Sequence, residues 1–281
     1  MDGLLFSDHS RPLDGLWIQD LHPRRSRLLP GLLGIYRREA FVARLEKGRA
    51  IPRPWVMGMA LSAKPTPNLE WGLHRTALFG GAGQEVDWGQ ILIGQGENDP
   101  ASPSPGDQKA GGHIRKRFSW GATRGAAYLE AAGEDSAGGL PSKWAFLGGL
   151  HLPSLGGGPW SLRLEAADTR IPGSTGVWYT HNAYQSGYTF HGRPLGAATG
   201  TDGRSLRIRL LRSVPSGQWV GDLFRWRSLA NAPAPEEGWI GTLGWDTPGA
   251  SLSLSCSKIQ NPAGISAKGE ILCSASAGWS F

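Results

Sequence analysis

Residues 171–203 carry the side chains best suited to binding chemistry in this sequence. Their aromatic rings could stack on the C–H faces of sugar rings, and their polar groups could hydrogen-bond hydroxyls or acidic groups. The same composition also fits a segment whose rings fold into the protein and seal it, so both interpretations stay open. The candidate glycan-binding residues are Trp178, Tyr179, His181, Asn182, Tyr184, Gln185, Tyr188, His191 and Arg193.

Catalytic and metal-binding patterns give no comparable signal. The sequence contains no G-x-S-x-G motif, and Ser174, His181 and Asp202 share one long loop, where their co-occurrence is expected by chance. His74, His113 and His151 fall on separate predicted strands without an H-x-x-x-H or H-E-x-x-H pair. We therefore predict no enzyme activity, no catalytic residues, no metal site and no cofactor.

The composition indicates which elements position these side chains. The 281 residues include 42 Gly and 20 Pro, too many for long helices, so strands and turns should dominate. Apolar runs are far shorter than the ~20 residues of a membrane-spanning helix. The net charge is +6, but the sequence contains no basic run and no nucleic-acid-binding motif. We therefore expect no nucleic-acid partner and keep an anionic polymer as the candidate partner. The 13 tryptophans, several near predicted strand ends, suit a surface that meets lipid headgroups.

Alternating hydrophobicity predicts strands with one apolar and one polar face. Phe41, Ala43 and Leu45 are assigned to the apolar, lipid-facing side, and Arg44 and Glu46 to the interior. The predicted strands are 15–20, 37–46, 55–64, 69–80, 110–120, 125–134, 143–153, 159–170, 204–213, 217–229, 238–247, 250–259 and 269–281.

The connections between these strands alternate in length. Short turns lie at 64–68, 121–125, 154–158, 214–217 and 246–249, and longer loops at 81–109, 135–142, 171–203, 230–237 and 260–268. This alternation is typical of outer-membrane barrels, which have short turns on the periplasmic side and long loops outside. We predict an all-β fold, an antiparallel transmembrane β-barrel of outer-membrane type. Residues 31–281 should form the barrel, with 1–30 as an amino-terminal segment of uncertain structure.

Hairpin register predicts a ladder of charges in the barrel interior. Pairing Trp120 with Gly125 would place Arg115 opposite Glu130, and pairing Val214 with Gly217 would place Arg209 opposite Asp222. Arg163 and Glu165 extend the same polar row. These residues could hold strands in register, or they could line a porin-like channel for small solutes.

Cys256 and Cys273 face each other if Ile259 pairs with Glu270 in the last hairpin. An oxidising periplasm would permit a disulfide there. Two small apolar thiols on the lipid side are the alternative, which we favour slightly.

Four stretches of sequence together resemble the Wzi family of capsule assembly proteins of the bacterial outer membrane. They are KPTPNLEWGLHRTALFGG (64–81), YLEAAGED (128–135), SLRLEAADT (161–169) and WYTHNAYQSGYTFHGRPLG (178–196). Their order and spacing are those of the carboxy-terminal part of such a protein, and the likeness runs from about residue 31 to the end.

The resemblance implies a lectin that binds capsular polysaccharide or exopolysaccharide through extracellular loops. It implies location in the bacterial outer membrane, with membrane lipid as the second partner. Family members have more strands than the twelve or thirteen predicted here. Either the amino-terminal strands are missing from this sequence, which is the interpretation we favour, or the chain closes as a smaller barrel.

Overall fold

The computed structural model describes residues 3–7, 10–89, 101–137, 140–228, 235–261 and 269–279, with no side-chain description for 135–141. Within them, the regular structure is almost wholly antiparallel β-strand. None of the helical segments in these ranges has the length and apolar character needed to cross a membrane.

Thirteen strands lie side by side in one sheet, neighbouring one another in chain order. A further two-residue strand, β2, pairs with β3, and β10 and β11 form a separate hairpin. A single 3₁₀ turn, Leu155–Gly157, follows β8. The strands are β1 (Gly15–Gln19), β2 (Arg24–Arg25), β3 (Ile35–Arg44), β4 (Trp55–Thr66), β5 (Leu69–Phe79), β6 (Gly106–Trp120), β7 (Thr123–Ala137), β8 (Leu140–Ser154), β9 (Trp160–Asp168), β10 (Thr189–Phe190), β11 (Arg193–Pro194), β12 (Gly203–Val214), β13 (Gly217–Ser228), β14 (Glu236–Asp246), β15 (Ala250–Gln260) and β16 (Ile271–Trp279).

The predicted all-β, antiparallel class is confirmed, and every predicted strand has a counterpart. Period-two alternation identifies most of these strands, because one face is apolar and the other polar. The predicted loop at 135–142 is wrong, since β7 continues to Ala137 and β8 begins at Leu140. The short strands β2, β10 and β11 were not predicted, because two residues are too few to show a period.

The sheet has an inner face, defined as the face that residues 169–202 cover, and an opposite outer face. Val56, Leu78 and Ala167 lie on the inner face, in one buried cluster with the aromatic residues of that segment. The face assignment of β3 was wrong. Ala43 belongs to the same cluster, whereas Arg44 lies on the outer face with its guanidinium 4.8 Å from the Trp55 ring centroid. The strand carries apolar side chains on both faces, so its pattern does not determine which one is covered.

The β6–β7 hairpin differs in register from the prediction. Trp120 pairs with Thr123, and Arg115 is therefore opposite Tyr128, not Glu130, which pairs with His113. The turn needs only Gly121 and Ala122, with Gly121 at φ +57°, a conformation that glycine adopts readily. The shift is two residues, so Arg115 and Glu130 still share the inner face.

The β12–β13 hairpin has the predicted register. Val214 pairs with Gly217, and Arg209 with Asp222. Along the whole sheet, one end carries short connections such as 121–122 and 215–216. The other end carries long ones, including 80–105 and 169–202. The edge strands of the sheet are β1 and β16, and no backbone pairing joins them within the described ranges.

Cys256 and Cys273 are directly opposed on β15 and β16 and form a disulfide. The slightly favoured alternative of two free thiols is therefore wrong. Both cysteines lie on the outer face, where they continue the row of Leu252 and Leu254.

Candidate functional site

Residues 169–202, here called the plug segment, connect β9 to β12 and fold back across the inner face of the sheet. The β10–β11 hairpin lies within this segment, and its turn contains His191 at φ +48° and Gly192 at φ +76°. Phe190 and Leu195 flank the turn and are buried. The segment is therefore an ordered layer with a buried side and an exposed side.

The aromatic residues of the plug segment form its buried side. Trp178, Tyr179, Tyr184 and Tyr188 are each at most 3% exposed. The rings of Tyr179 and Tyr188 stack with centroids 5.8 Å apart, and Trp178 meets Tyr179 edge-on at 5.3 Å. These four rings are enclosed by protein and do not face solvent. Their position agrees with the interpretation in which the rings of this segment fold into the protein and seal it.

The polar tips of Trp178, Tyr179 and Tyr184 are each bonded to a different part of the wall, whereas the buried hydroxyl of Tyr188 has no hydrogen-bond partner among the described residues. Trp178 donates its Nε1–H to the carbonyl of Lys143 at 2.8 Å. Tyr179 donates to the carbonyl of Leu4 at 2.6 Å and accepts from the amide of Ala197 at 2.9 Å. Bonded polar tips allow such rings to be buried at little cost.

The Tyr184 hydroxyl lies 3.0 Å from the carbonyl of Gly80 and 3.1 Å from that of Pro105. Burial first, and then the nearby Asp107 carboxylate, raise the pKa of Tyr184 above its ordinary value. The hydroxyl therefore stays protonated and shares its proton between the two carbonyls. This contact ties the plug segment to both ends of the long β5–β6 connection.

A buried ionic cluster lies beneath the plug segment. Lys109 is 1% exposed, and its Nζ lies 2.5 Å from Asp107 Oδ1 and 3.2 Å from Glu134 Oε1. The same ammonium group is 4.7 Å from the centroid of the Tyr188 ring. Glu134 also accepts the backbone amide of Tyr179 at 3.0 Å. One lysine thus joins β6, β7 and the plug segment.

Arg49, in the connection between β3 and β4, clamps the other side of the plug segment. Its guanidinium donates to the carbonyls of Thr189 and Gly187, each at 2.6 Å, and contacts Glu46 at 3.0 Å. Glu46 in turn accepts the amide of His191 at 3.2 Å. The backbone around the β10–β11 hairpin is therefore fixed by charge-assisted hydrogen bonds.

The described amino-terminal residues 3–7 also lie on the inner face. Leu4 and Leu5 are buried in the aromatic cluster, and the amide of Leu4 donates to Glu130 Oε1 at 2.9 Å. Ser7 donates its amide to the carbonyl of Leu195 at 3.0 Å and its hydroxyl to that of Gly196 at 2.7 Å. These residues pack between the plug segment and the strands.

The polar candidates form the other side of the segment. Asn182, Gln185, His191 and Arg193 are exposed, whereas His181 is half-buried. His181 Nδ1 accepts the amides of Ala183 at 3.1 Å and Tyr184 at 3.2 Å, which caps the local turn. The nine sequence candidates thus divide into four buried rings, four exposed polar groups and one turn-forming histidine.

The charge-ladder residues lie on the inner face and are not members of the aromatic cluster. Arg163 contacts Glu165 at 3.0 Å, and Glu165 also accepts from the hydroxyl of Tyr128. Asp222 is bound by two nitrogens of Arg207, at 2.7 and 3.0 Å, whereas Arg209, its register partner, lies at 3.8 Å. The remaining members do not join this row. Glu130 lies 3.4 Å from His74, and Arg115 lies nearer the short-connection end of β6.

Sequence reasoning missed Lys109, Glu134 and Arg49, which hold the plug segment. Lys109 and Asp107 fell inside the predicted loop 81–109, although β6 begins at Gly106. Lys109 and Asp107 are two residues apart and so share one face of a strand, and this spacing was the available signal. Among the described residues, no group of three or more His, Cys, Asp or Glu side chains is placed to hold a metal ion.

Comparisons with known proteins agree on one family. The family model described as "Capsule assembly protein Wzi" matches residues 2–247. Among solved structures, the chain is similar to Wzi of Escherichia coli, described as an outer membrane protein involved in group 1 capsule assembly and as a carbohydrate-binding β-barrel. The TM-score is 0.77 at 22% identity, covering 98% of this chain and 63% of that one. The chain thus spans less than two thirds of that protein. No curated protein matched the sequence.

Proposed function

Because the chain belongs to the family of the capsule assembly protein Wzi, we propose that it is an outer-membrane β-barrel that binds capsular polysaccharide or exopolysaccharide at the cell surface. The protein acts by binding and does not turn over a substrate. The observation that carries this proposal is the two-sided plug segment, whose buried rings anchor a row of exposed polar side chains.

The exposed side of the plug segment is the proposed contact surface. Asn182 and Gln185 supply amide donors and acceptors for sugar hydroxyls, and Arg193 supplies a guanidinium for acidic groups. His191 lies in the turn of the β10–β11 hairpin, beside Arg193. The buried Trp178, Tyr179, Tyr184 and Tyr188 act as anchors for this surface, and His181 shapes the turn between them.

The outer face of the sheet supports lipid as the second partner. Leu243 is 65% exposed, and Trp219 and Trp279 are 52% and 71% exposed, although all three are large apolar side chains. Exposed apolar rows on alternating strand positions are typical of barrel walls that contact acyl chains. Tryptophans near strand ends fit the headgroup layer.

The channel alternative receives no support from the family match. The plug segment, with its aromatic cluster, lies across the inner face where an open path would have to run. A binding protein accounts for that arrangement, because a covered interior gives the exposed loop surface a firm base.

The test removes the exposed contacts and keeps the buried anchors. The variant N182A/Q185A/H191A/R193A should bind purified capsular polysaccharide at least tenfold more weakly, because losing two or more hydrogen bonds of about 1 kcal/mol each has that effect. Calorimetric titration of the detergent-solubilised protein measures the affinity.

Arg225→Ala, an exposed arginine on the outer face, is the matched control and should leave the affinity unchanged. Heat-modifiable migration on gels should be the same for all three proteins. Undiminished polysaccharide binding by the fourfold variant would contradict the assignment of the surface.

A further inference from the structure

Three arginines gather on the inner face at the end of the sheet that carries the short connections. Arg115 and Arg117 lie on β6, and Arg124 lies at the start of β7, opposite Ser119. Glu134, which contacts the plug segment, is ten residues further along β7 than Arg124, or about 33 Å at ~3.3 Å per residue. The cluster is thus remote from the proposed polysaccharide surface.

These arginines differ from Arg163 and Arg207, on the same face, in having no acidic partner among the described side chains. Arg163 contacts Glu165, and Arg207 contacts Asp222. Within the described part of the chain, none of Arg115, Arg117 and Arg124 forms an ion pair or a side-chain hydrogen bond, and the buried Nε of Arg115 has no partner. Glu70 pairs with Arg115 in the backbone register but makes no ion pair with it in this part of the chain. Uncompensated cations at close quarters favour an anionic ligand.

The arginines line a cavity of about 530 Å³. Its other walls combine the hydrogen-bonding side chains Asn68, Ser119 and His151 with the apolar surfaces of Ala126 and Pro153. A cavity of roughly 300–1,000 Å³ is the usual size for a small-ligand site. The cavity therefore offers more than charge: it has room, hydrogen-bonding side chains and apolar surface.

A break in strand pairing shapes this cavity. The register between β7 and β8 shifts between Arg124 and Ala126, as in a β-bulge. Bulges redirect side chains and are found next to binding sites. The strand pairing is irregular at the residue that brings the third guanidinium to the cavity.

We propose that this cavity is a second binding site, which takes an acidic oligosaccharide segment through its carboxylates. The proposal rests on the proposed polysaccharide function but assigns it a site at the opposite end of the sheet. Arg115, Arg117 and Arg124 bind the carboxylates, Asn68 and Ser119 bind hydroxyls, and the apolar walls contact C–H faces of the sugar. An inorganic anion would use only the first of these three features.

Calorimetric titration of the detergent-solubilised protein with tetragalacturonate, maltotetraose and inorganic phosphate tests the site. Tetragalacturonate should bind at least tenfold more tightly than either of the others. The variant R117Q/R124Q, which changes two exposed arginines, should reduce tetragalacturonate affinity at least tenfold, whereas the control R225Q should have no effect. Heat-modifiable migration confirms that each variant is folded.

The plug-segment variant N182A/Q185A/H191A/R193A separates the two proposals. Suppose that this variant no longer binds capsular polysaccharide but still binds tetragalacturonate, and that the latter binding depends on Arg117 and Arg124. Both proposed sites are then supported. Equal tetragalacturonate affinity in the parent protein and R117Q/R124Q would overturn the cavity site and leave the proposed function intact. Phosphate binding as tight as tetragalacturonate binding would overturn its assignment to a sugar acid.

Discussion

The strands β3 to β9 and the strands β12 to β16 belong to one sheet but are stabilised differently. The first group lies under the plug segment, and its inner face contributes Val56, Leu78 and Leu147 to a buried core. The second group contributes no buried hydrophobic side chain among its described residues. Its inner face includes serines and the ion pairs of Asp222, and its exposed outer-face leucines include Leu243, Leu252 and Leu254.

This difference separates two sources of stability within one sheet. The plug-covered half has a buried core of aliphatic and aromatic side chains, as a soluble domain does. The second half depends on backbone pairing, a disulfide and an apolar outer face, for which we propose contact with lipid. Substitutions should therefore have large effects in the first half and small ones on the inner face of the second.

The largest effect is expected at the buried lysine. Lys109→Met leaves Asp107 and Glu134 as buried carboxylates without a cation, which should lower the free energy of unfolding by about 3–5 kcal/mol. Urea unfolding in detergent micelles, followed by tryptophan fluorescence, measures the change. A loss below about 1 kcal/mol would mean that the cluster is hydrated and that the two halves are alike.

The disulfide should be the strongest single stabiliser of the second half. It closes a loop with a sequence separation of 17 residues, for which chain entropy gives about 3 kcal/mol. Reduction should lower the urea midpoint of the parent protein by a corresponding amount. The variant C256S/C273S should already have the lower urea midpoint, and reductant should not change it. A further decrease on adding reductant would show that the effect does not come from this disulfide.

The Tyr179 hydroxyl offers a smaller test of the plug-covered half. Tyr179→Phe keeps the stacked ring but leaves the carbonyl of Leu4 and the amide of Ala197 without this partner, at a cost of about 1–3 kcal/mol. Limited proteolysis should cut within residues 169–202 faster than in the parent protein. An unchanged cleavage rate would show that ring packing alone holds the segment.

The smallest effect is expected at the inner-face arginine of β12. Arg207 and Asp222 are both partly exposed, so Arg207→Ala should lower the free energy of unfolding by about 1 kcal/mol or less. The same urea titration measures it, and Arg209→Ala, at a longer distance from Asp222, should cost still less. A loss as large as that of Lys109→Met would remove the contrast between the halves.

Local sequence patterns were sufficient for the strands and for most of their faces. Trp160, Leu162 and Leu164 alternate with Ser161, Arg163 and Glu165, and this period requires no knowledge of distant residues. The same reasoning assigned the faces of strand β3 incorrectly. Phe41 and Val42 are both apolar, and only the plug segment determines which face is covered.

Contacts between distant parts of the chain were not predictable in this way. Lys109 meets Glu134 and Tyr188, and nothing in the sequence around each residue indicates the other two. The aromatic residues near Tyr184 predicted a special loop, but stacking on sugars and packing in a core use the same rings. Burial resolves that ambiguity, and burial is a property of the whole fold.

The hydrogen bonds from Arg49 to the backbone at Gly187 and Thr189 have a consequence for recognition. Side chains such as Gln185 and Arg193 project from backbone that is already immobilised before any ligand arrives. Association with the proposed glycan ligand then requires little further loss of the protein's conformational entropy, so most of the entropic cost falls on the glycan chain. Stiff polysaccharides should consequently be retained better than flexible ones of the same chemistry.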